Sequence, residues 1–329
     1  MAKYKIEDGV GIIPEGKKQI TAAAFEDCTG LTSVVIPDSV TEIGRSAFRG
    51  CSGLTSVKIP NSVTCIREHA FEGCTGLTNI EIPSSVTEMG WFVFRDCTGL
   101  TNLEISGLTT IGMYAFSGCT GLTNVVIPSS VTEINGNPFV RCTRMTSIVV
   151  EEGNKVYDSR ENCNAIIETK SNTLLCGCQS TVIPSSVTAI EKEAFYGCTG
   201  LTSIVIPSSV TKIGWMVFFG YTGLTSIDIP SSVTEIGDSA FEGCTGLTNV
   251  VIPSSVTEIG NSAFQGCTEL TEVALQTGTN RIAEDAFLYC EKLTCISVPA
   301  KKADYYKKRL PEYLHQYIVE REPEKKAKK

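Results

Sequence analysis

Residues 31–53 read LTSVVIPDSVTEIGRSAFRGCSG, and this stretch returns along the chain with small changes. Its phenylalanine recurs as Phe25, Phe48, Phe71, Phe94, Phe116, Phe139, Phe195, Phe218, Phe241, Phe264 and Phe287, at steps of 23 residues with one of 22 and one of 56. A second column opens the units, from Leu31, Leu54, Leu77, Leu100 and Leu122 through Met145 to Leu201, Leu224, Leu247, Leu270 and Leu293. A partial unit, GIIPEGKKQITAAAFEDCTG, precedes the first full one. A fixed period of this length marks a stack of repeats, not a globular domain.

Each unit has a physical reading. Val34 and Ile36 lie two apart and point the same way from a short strand. Pro37 ends that strand because it has no N–H for a ladder. Val40 and Ile43 form a second apolar pair, and Gly44 allows the next bend. Ala47 and Phe48 lead through a short helical or irregular turn to Cys51. Burying the apolar side chains of one such coil yields a free energy only comparable to the entropy of ordering its backbone. Stability therefore comes from stacking coil on coil.

The pattern LTxVxIPxSVTxIGxxAFxGCxG resembles the BspA-like leucine-rich-repeat family, also called the Treponema-type repeat. The resemblance covers roughly residues 8–300. Residues 154–190, NKVYDSRENCNAIIETKSNTLLCGCQSTVIPSSVTAI, are similar to a hairpin insert of Bacteroides members, and residues 297–318, SVPAKKADYYKKRLPEYLHQYI, to a C-terminal helical cap. The expected fold is an α/β repeat solenoid, a right-handed leucine-rich-repeat stack of about 12–13 coils with a parallel β-sheet. The solenoid is expected over 1–300 with its insert near 150–180, the cap over 301–319, and a disordered charged tail over 320–329. The resemblance implies a non-enzymatic binding or adhesion module of the bacterial cell surface, with a protein or glycan partner and no catalytic residues. A protein-binding scaffold or inhibitor inside the cell is the alternative. From Met1 onward no export signal is read, since Glu7, Asp8 and Glu15 interrupt the segment. That implies the cytoplasm if the chain is complete, against the surface location implied by the family.

Composition narrows the function classes. The net charge of -8 argues against nucleic acid as a partner, which calls for a basic footprint. No apolar run is long enough for a membrane-spanning helix. Only His69 and His315 are present, in different repeats, so a Ser/His/Asp or Cys/His arrangement is unsupported. Glu42, Glu88, Glu133, Glu235 and Glu258 share one exposed column and read as solubilising charge. No cofactor is implied. The chain is expected to be a monomer or a weak homodimer.

Fifteen cysteines invite a disulfide reading, but ten share one repeat column, where stacked neighbours sit farther apart than a bridge allows. They read as buried thiols acting as small apolar fillers. Cys176 and Cys178 with Cys163 lack the two-to-four-residue spacing of a zinc site, so no metal is expected.

Binding candidates lie where the copies differ. The outward strand position holds Val126, Val149, Val182 and Val205, an apolar stripe flanked by Glu104 and Asp228. Such stripes mark partner sites, although β-branched residues also simply suit a sheet surface. Trp91-Phe92 and Trp215-Met216 replace the small polar pair Arg45-Ser46, as does Met113-Tyr114. Aromatics of this kind anchor interfaces, or pack over a neighbouring coil. The insert reads as a hairpin projecting from the array, or as a structural segment that widens one coil. Strands are expected at 165–167 and 173–175. At the end, Tyr306, Leu310, Tyr313, Leu314, Tyr317 and Ile318 recur at helical spacing, with Pro311 splitting the helix.

Overall fold

The computed structural model describes residues 4–321. They form β-solenoid coils of the leucine-rich-repeat kind, about 14 in all, in two compact units: Met1–Ser171 with Leu175–Thr181, and Asn172–Leu174 with Val182–Lys329.

In the first unit the short strands Gln19–Ile20, Glu42–Ile43, Cys65–Ile66, Glu88–Met89, Thr110–Ile111 and Glu133–Ile134 build one parallel sheet in strict repeat register, with Glu42 beside Cys65 and Ile43 beside Ile66. Longer strands on another side of the coil pair in twos: Asn79–Ile82 with Asn102–Ile105, and Asn124–Ile127 with Ser147–Val150. The coil at residues 54–60 contributes no strand there.

Tight turns within each coil pair some backbone groups, such as Cys51 N–H to Phe48 O (3.1 Å), and many others pair between coils, in both directions. Thr64 N–H donates to Thr41 O of the coil before (2.9 Å), while Phe71 N–H donates to Val93 O of the coil after (2.9 Å). An isolated coil would leave both unpaired, which is why the fold is cooperative along the stack. The threonines add hydroxyl bonds of the same sense, Thr41 Oγ1 to Lys18 O and Thr64 Oγ1 to Thr41 O at 3.1 and 3.3 Å.

The phenylalanines form the spine. From Phe25 to Phe139 successive ring centroids lie 5.1–5.5 Å apart, with planes within 11°. In the second unit Phe195, Phe218, Phe241, Phe264 and Phe287 repeat this at 5.1–5.6 Å. All are buried. Around them the second unit runs parallel rungs from residues 173 and 174 through Ala189–Ile190, Lys212–Ile213, Glu235–Ile236 and Glu258–Ile259 to Arg281–Ile282.

Of the two readings of the insert, its burial fits the structural segment within a coil and not a projecting hairpin. Strand Ala165–Glu168 pairs antiparallel with Tyr157–Asp158, and Ala165, Ile166 and Ile167 are fully buried. Ile166, Cys176 and Cys178 belong to one apolar cluster with the phenylalanines of the first unit, Phe25 to Phe139. The segment occupies a coil's place because its apolar residues have nowhere else to be buried.

The chain start forms a hairpin, Lys5–Glu7 antiparallel to Val10–Ile12. Its turn residues Asp8 and Gly9 both have positive φ (48° and 82°), the geometry a two-residue hairpin demands. At the other end a helix, Ala303–Lys307, and a 3-10 helix, Glu312–Tyr317, stand either side of Pro311. Tyr306, Leu310 and Leu314 are buried, whereas Tyr313 is exposed. Strand Ile318–Glu320 then pairs with Cys295–Val298, so Glu320, expected at the start of a disordered tail, is in a strand. The rest of that tail, 322–329, lies outside the described residues.

Candidate binding surfaces

The valines stand as strand alternation dictates in the first unit. Val125 and Ile127 face the core, so Val126 and Val149, directly opposed on neighbouring strands, face out at 46% and 42% exposure. In the second unit Val182 and Val205 are more exposed, at 73% and 81%, but neither lies in a strand. The expectation of an outward strand position fails for these two, although their neighbours Ile183 and Ile206 remain buried.

Trp91 and Phe92 part company. Trp91 is exposed (54%). Phe92 has φ 59°, as do its equivalents within a few degrees: Ser46, His69 and Tyr114 at 55°, 59° and 56°. This left-handed column aligns its side chains from coil to coil. The Phe92 ring stacks between His69 (5.1 Å, 12°) and Tyr114 (5.3 Å, 28°). The Arg95 guanidinium lies 5.4 Å from its centroid, and His69 Nδ1 is 2.6 Å from Glu72 Oε2. Phe92 is thus half-buried in a ladder over its neighbours, with Trp91 beside it. His69 was missed in the sequence because His, Phe and Tyr do not look like one column; the steps of 23 and 22 residues were the available signal.

Trp215 sits differently. It lines a shallow groove of about 330 Å³ in the second unit. One wall is the column Trp215, Asp238 and Asn261; the other is the column Lys212, Glu235, Glu258 and Arg281, four successive parallel rungs. The floor includes Gly237 and Gly260. A Cβ at Gly237 would come 2.8 Å from Gly214 C of the preceding coil, and one at Gly260 would come 2.4 Å from Asp238 Oδ1 and 2.8 Å from Gly237 C, so close coil approach excludes a side chain at either glycine, and the Asp238 carboxylate lies over Gly260. Lys212 pairs with Glu235 (2.8 Å) and Arg281 with Glu258 (2.7 Å). Two glutamates read as solubilising charge are therefore paired members of a groove wall. Met216 is half-buried behind it, its N–H donating to Asp238 O.

The cysteine column is interior. Cys51, Cys74, Cys97, Cys119 and Cys142 each donate Sγ–H to the carbonyl of a phenylalanine one coil back, at 2.9–3.1 Å. They are weak donors as well as fillers. Burial pushes the Cys51 thiol up to about 12. Cys163, Cys176 and Cys178 are likewise buried, with Cys178 Sγ 3.3 Å from Asn164 O. All fifteen are thiols. Among the described residues no three His, Cys, Asp or Glu side chains gather as a metal site, and no helix is long and apolar enough to cross a membrane.

A phenylalanine-spined stack of 23-residue coils defines a leucine-rich-repeat protein. The model for the BspA type leucine rich repeat region matches residues 18–146 and 165–294, and the chain belongs to that family. It is similar to a leucine-rich cell surface protein of Faecalibacterium prausnitzii, at 32% identity over 90% of this chain and 80% of that one, with a TM-score of 0.78. A leucine-rich repeat protein of Bacteroides ovatus is 29% identical over 95% and 84% of the two chains, with a TM-score of 0.60. The pneumococcal vaccine antigen PcpA shares the fold, at 19% identity over 97% and 96% and a TM-score of 0.77. No curated protein matches the chain.

Proposed function

We propose that the protein is a non-enzymatic binding module that engages a protein or glycan partner through side chains departing from the repeat. The observation that carries this reading is the pair of exposed tryptophans, Trp91 and Trp215, at a repeat position that Arg45, Glu68, Lys192, Asp238, Asn261 and Glu284 fill in other coils. Large exposed aromatics cost solubility and supply binding energy. The exposed valines Val126 and Val149 in one unit, and Val182 and Val205 in the other, supply apolar contact area. The relative described as a cell surface protein supports display outside a bacterial cell.

The test is binding of purified protein to immobilised host matrix proteins and bacterial surface polysaccharides. A Trp91→Ala or Val149→Glu variant is expected to weaken capture of the partner about tenfold or more, as loss of a hot spot does. Absence of any partner across both panels, or full retention by every surface variant, would overturn the reading.

A further inference from the structure

We propose that the groove beside Trp215 is a binding site for a neutral oligosaccharide of two or three sugar rings. This deepens the binding-module reading and rests on it.

The shape comes from the repeat itself. Four rungs, from Lys212 to Arg281, span three strand steps, about 14 Å at about 4.8 Å per step. Glycines at 237 and 260 leave the two middle coils of this length without a side chain of their own at the floor. The glycine column ends on both sides, with Glu191 in the coil before Gly214 and Ala283 in the coil after Gly260. The first unit shows what the same place becomes when the column is broken. There Arg67 replaces the glycine between Gly44 and Gly90 and reaches Glu42 at 2.9 Å.

The chemistry selects the ligand class. A sugar ring has an apolar face of C–H groups, whose partial positive charge suits the negative face of an aromatic ring. Trp215, 44% exposed at one end of the groove, offers such a platform. Among the described residues its indole N–H has no protein partner. Sugar hydroxyls both donate and accept. The groove walls answer both needs: carboxylates of Glu235, Asp238 and Glu258 accept, while Lys212, Arg281 and the Asn261 side chain donate. Their charges are largely matched in advance. The Lys212–Glu235 and Arg281–Glu258 pairs leave Asp238, whose Oδ1 accepts from Asn261 N–H at 2.7 Å. A strongly anionic ligand would meet an unfavourable net charge, and a cationic one would find a single ring, not a cage. An uncharged ligand rich in hydroxyls fits.

The chain has two tryptophans, so a Trp91→Phe variant makes Trp215 the sole indole reporter. This protein is titrated with maltotriose, cellotriose, mannotriose and triacetylchitotriose, with the corresponding monosaccharides and a sulfated heparin disaccharide in parallel. At least one neutral trisaccharide is expected to change Trp215 emission saturably and bind at least tenfold more tightly than its monosaccharide. In calorimetry on the full chain, Trp215→Ala should abolish that binding. Arg281→Ala, a substitution at a largely exposed side chain, should weaken it several-fold with Tm unchanged. No response to any neutral trisaccharide, a response to the sulfated disaccharide alone, or undiminished binding by a folded Trp215→Ala variant would overturn the proposal. Capture of a protein partner through Trp91 could still succeed in that event, which separates failure of the groove from failure of the binding-module reading.

Discussion

Phe241 lies fully buried between Phe218 and Phe264, 5.2 and 5.1 Å from their centroids. Truncation to alanine should cost about 3–5 kcal/mol, by the large-to-small rule, read from chemical denaturation; a loss under about 1 kcal/mol would contradict its place in the spine. Glycines divide just as sharply. A Cβ at Gly44 would lie 2.4 Å from Ile20 O, whereas one at Gly30 would meet nothing within 4 Å. Gly44→Ala should therefore lower stability by roughly 1–3 kcal/mol, as overpacking does, with Gly30→Ala near wild type. Equal thermal melts for the two would refute the close approach. At this scale the phenylalanine and glycine columns were plain in the sequence. The threonine hydroxyl ladder was not, because a bond to the preceding coil's carbonyl leaves no local signature.

At the scale of elements, the cysteine column has a consequence for pH. An ordinary thiol ionises near 9.0, and burial lifts Cys51 and Cys290 to about 12; Cys74 and Cys97 are raised further, also by burial. Between those limits the unfolded chain releases protons that the native chain keeps, so stability falls as pH rises. The melting temperature should drop between pH 9 and 12, and Cys51→Ala should make that slope shallower even though the cavity lowers stability overall. An unchanged slope would show that Cys51 does not titrate on unfolding. Among the elements, the strands of the insert were readable from Ala165-Ile166-Ile167 and Thr173-Leu174-Leu175. Their burial was not, since apolar residues in a hairpin read the same whether they project or replace a coil. Val182 and Val205 show the opposite case: the residue pattern of a strand is present, but strand pairing needs a neighbour in register, which composition does not report.

At the scale of the molecule, ends decide stability, because a terminal coil exposes core and unpaired backbone. The second unit closes with Ile318–Glu320 on Cys295–Val298, and Arg321 N–H donates to Val298 O at 2.8 Å. Ile296 and Val298, fully buried, would be opened to water by truncation after residue 300. That truncation should lower Tm by several degrees and promote association at micromolar concentration, measured by light scattering. A monomer melting like the full chain would mean that the cap contributes nothing.

The amino-acid sequence by itself settled the period and the identity of the inward columns, because both follow from spacing along the chain. The stack decided what meets across coils: the His69, Phe92 and Tyr114 ladder, the walls around Trp215, and the insert's place in the core. The physical reason is that coils touch through residues some 22 or 23 positions apart. Whether such residues form a rung, a groove or a gap depends on how closely their backbones approach, a distance that no single coil encodes.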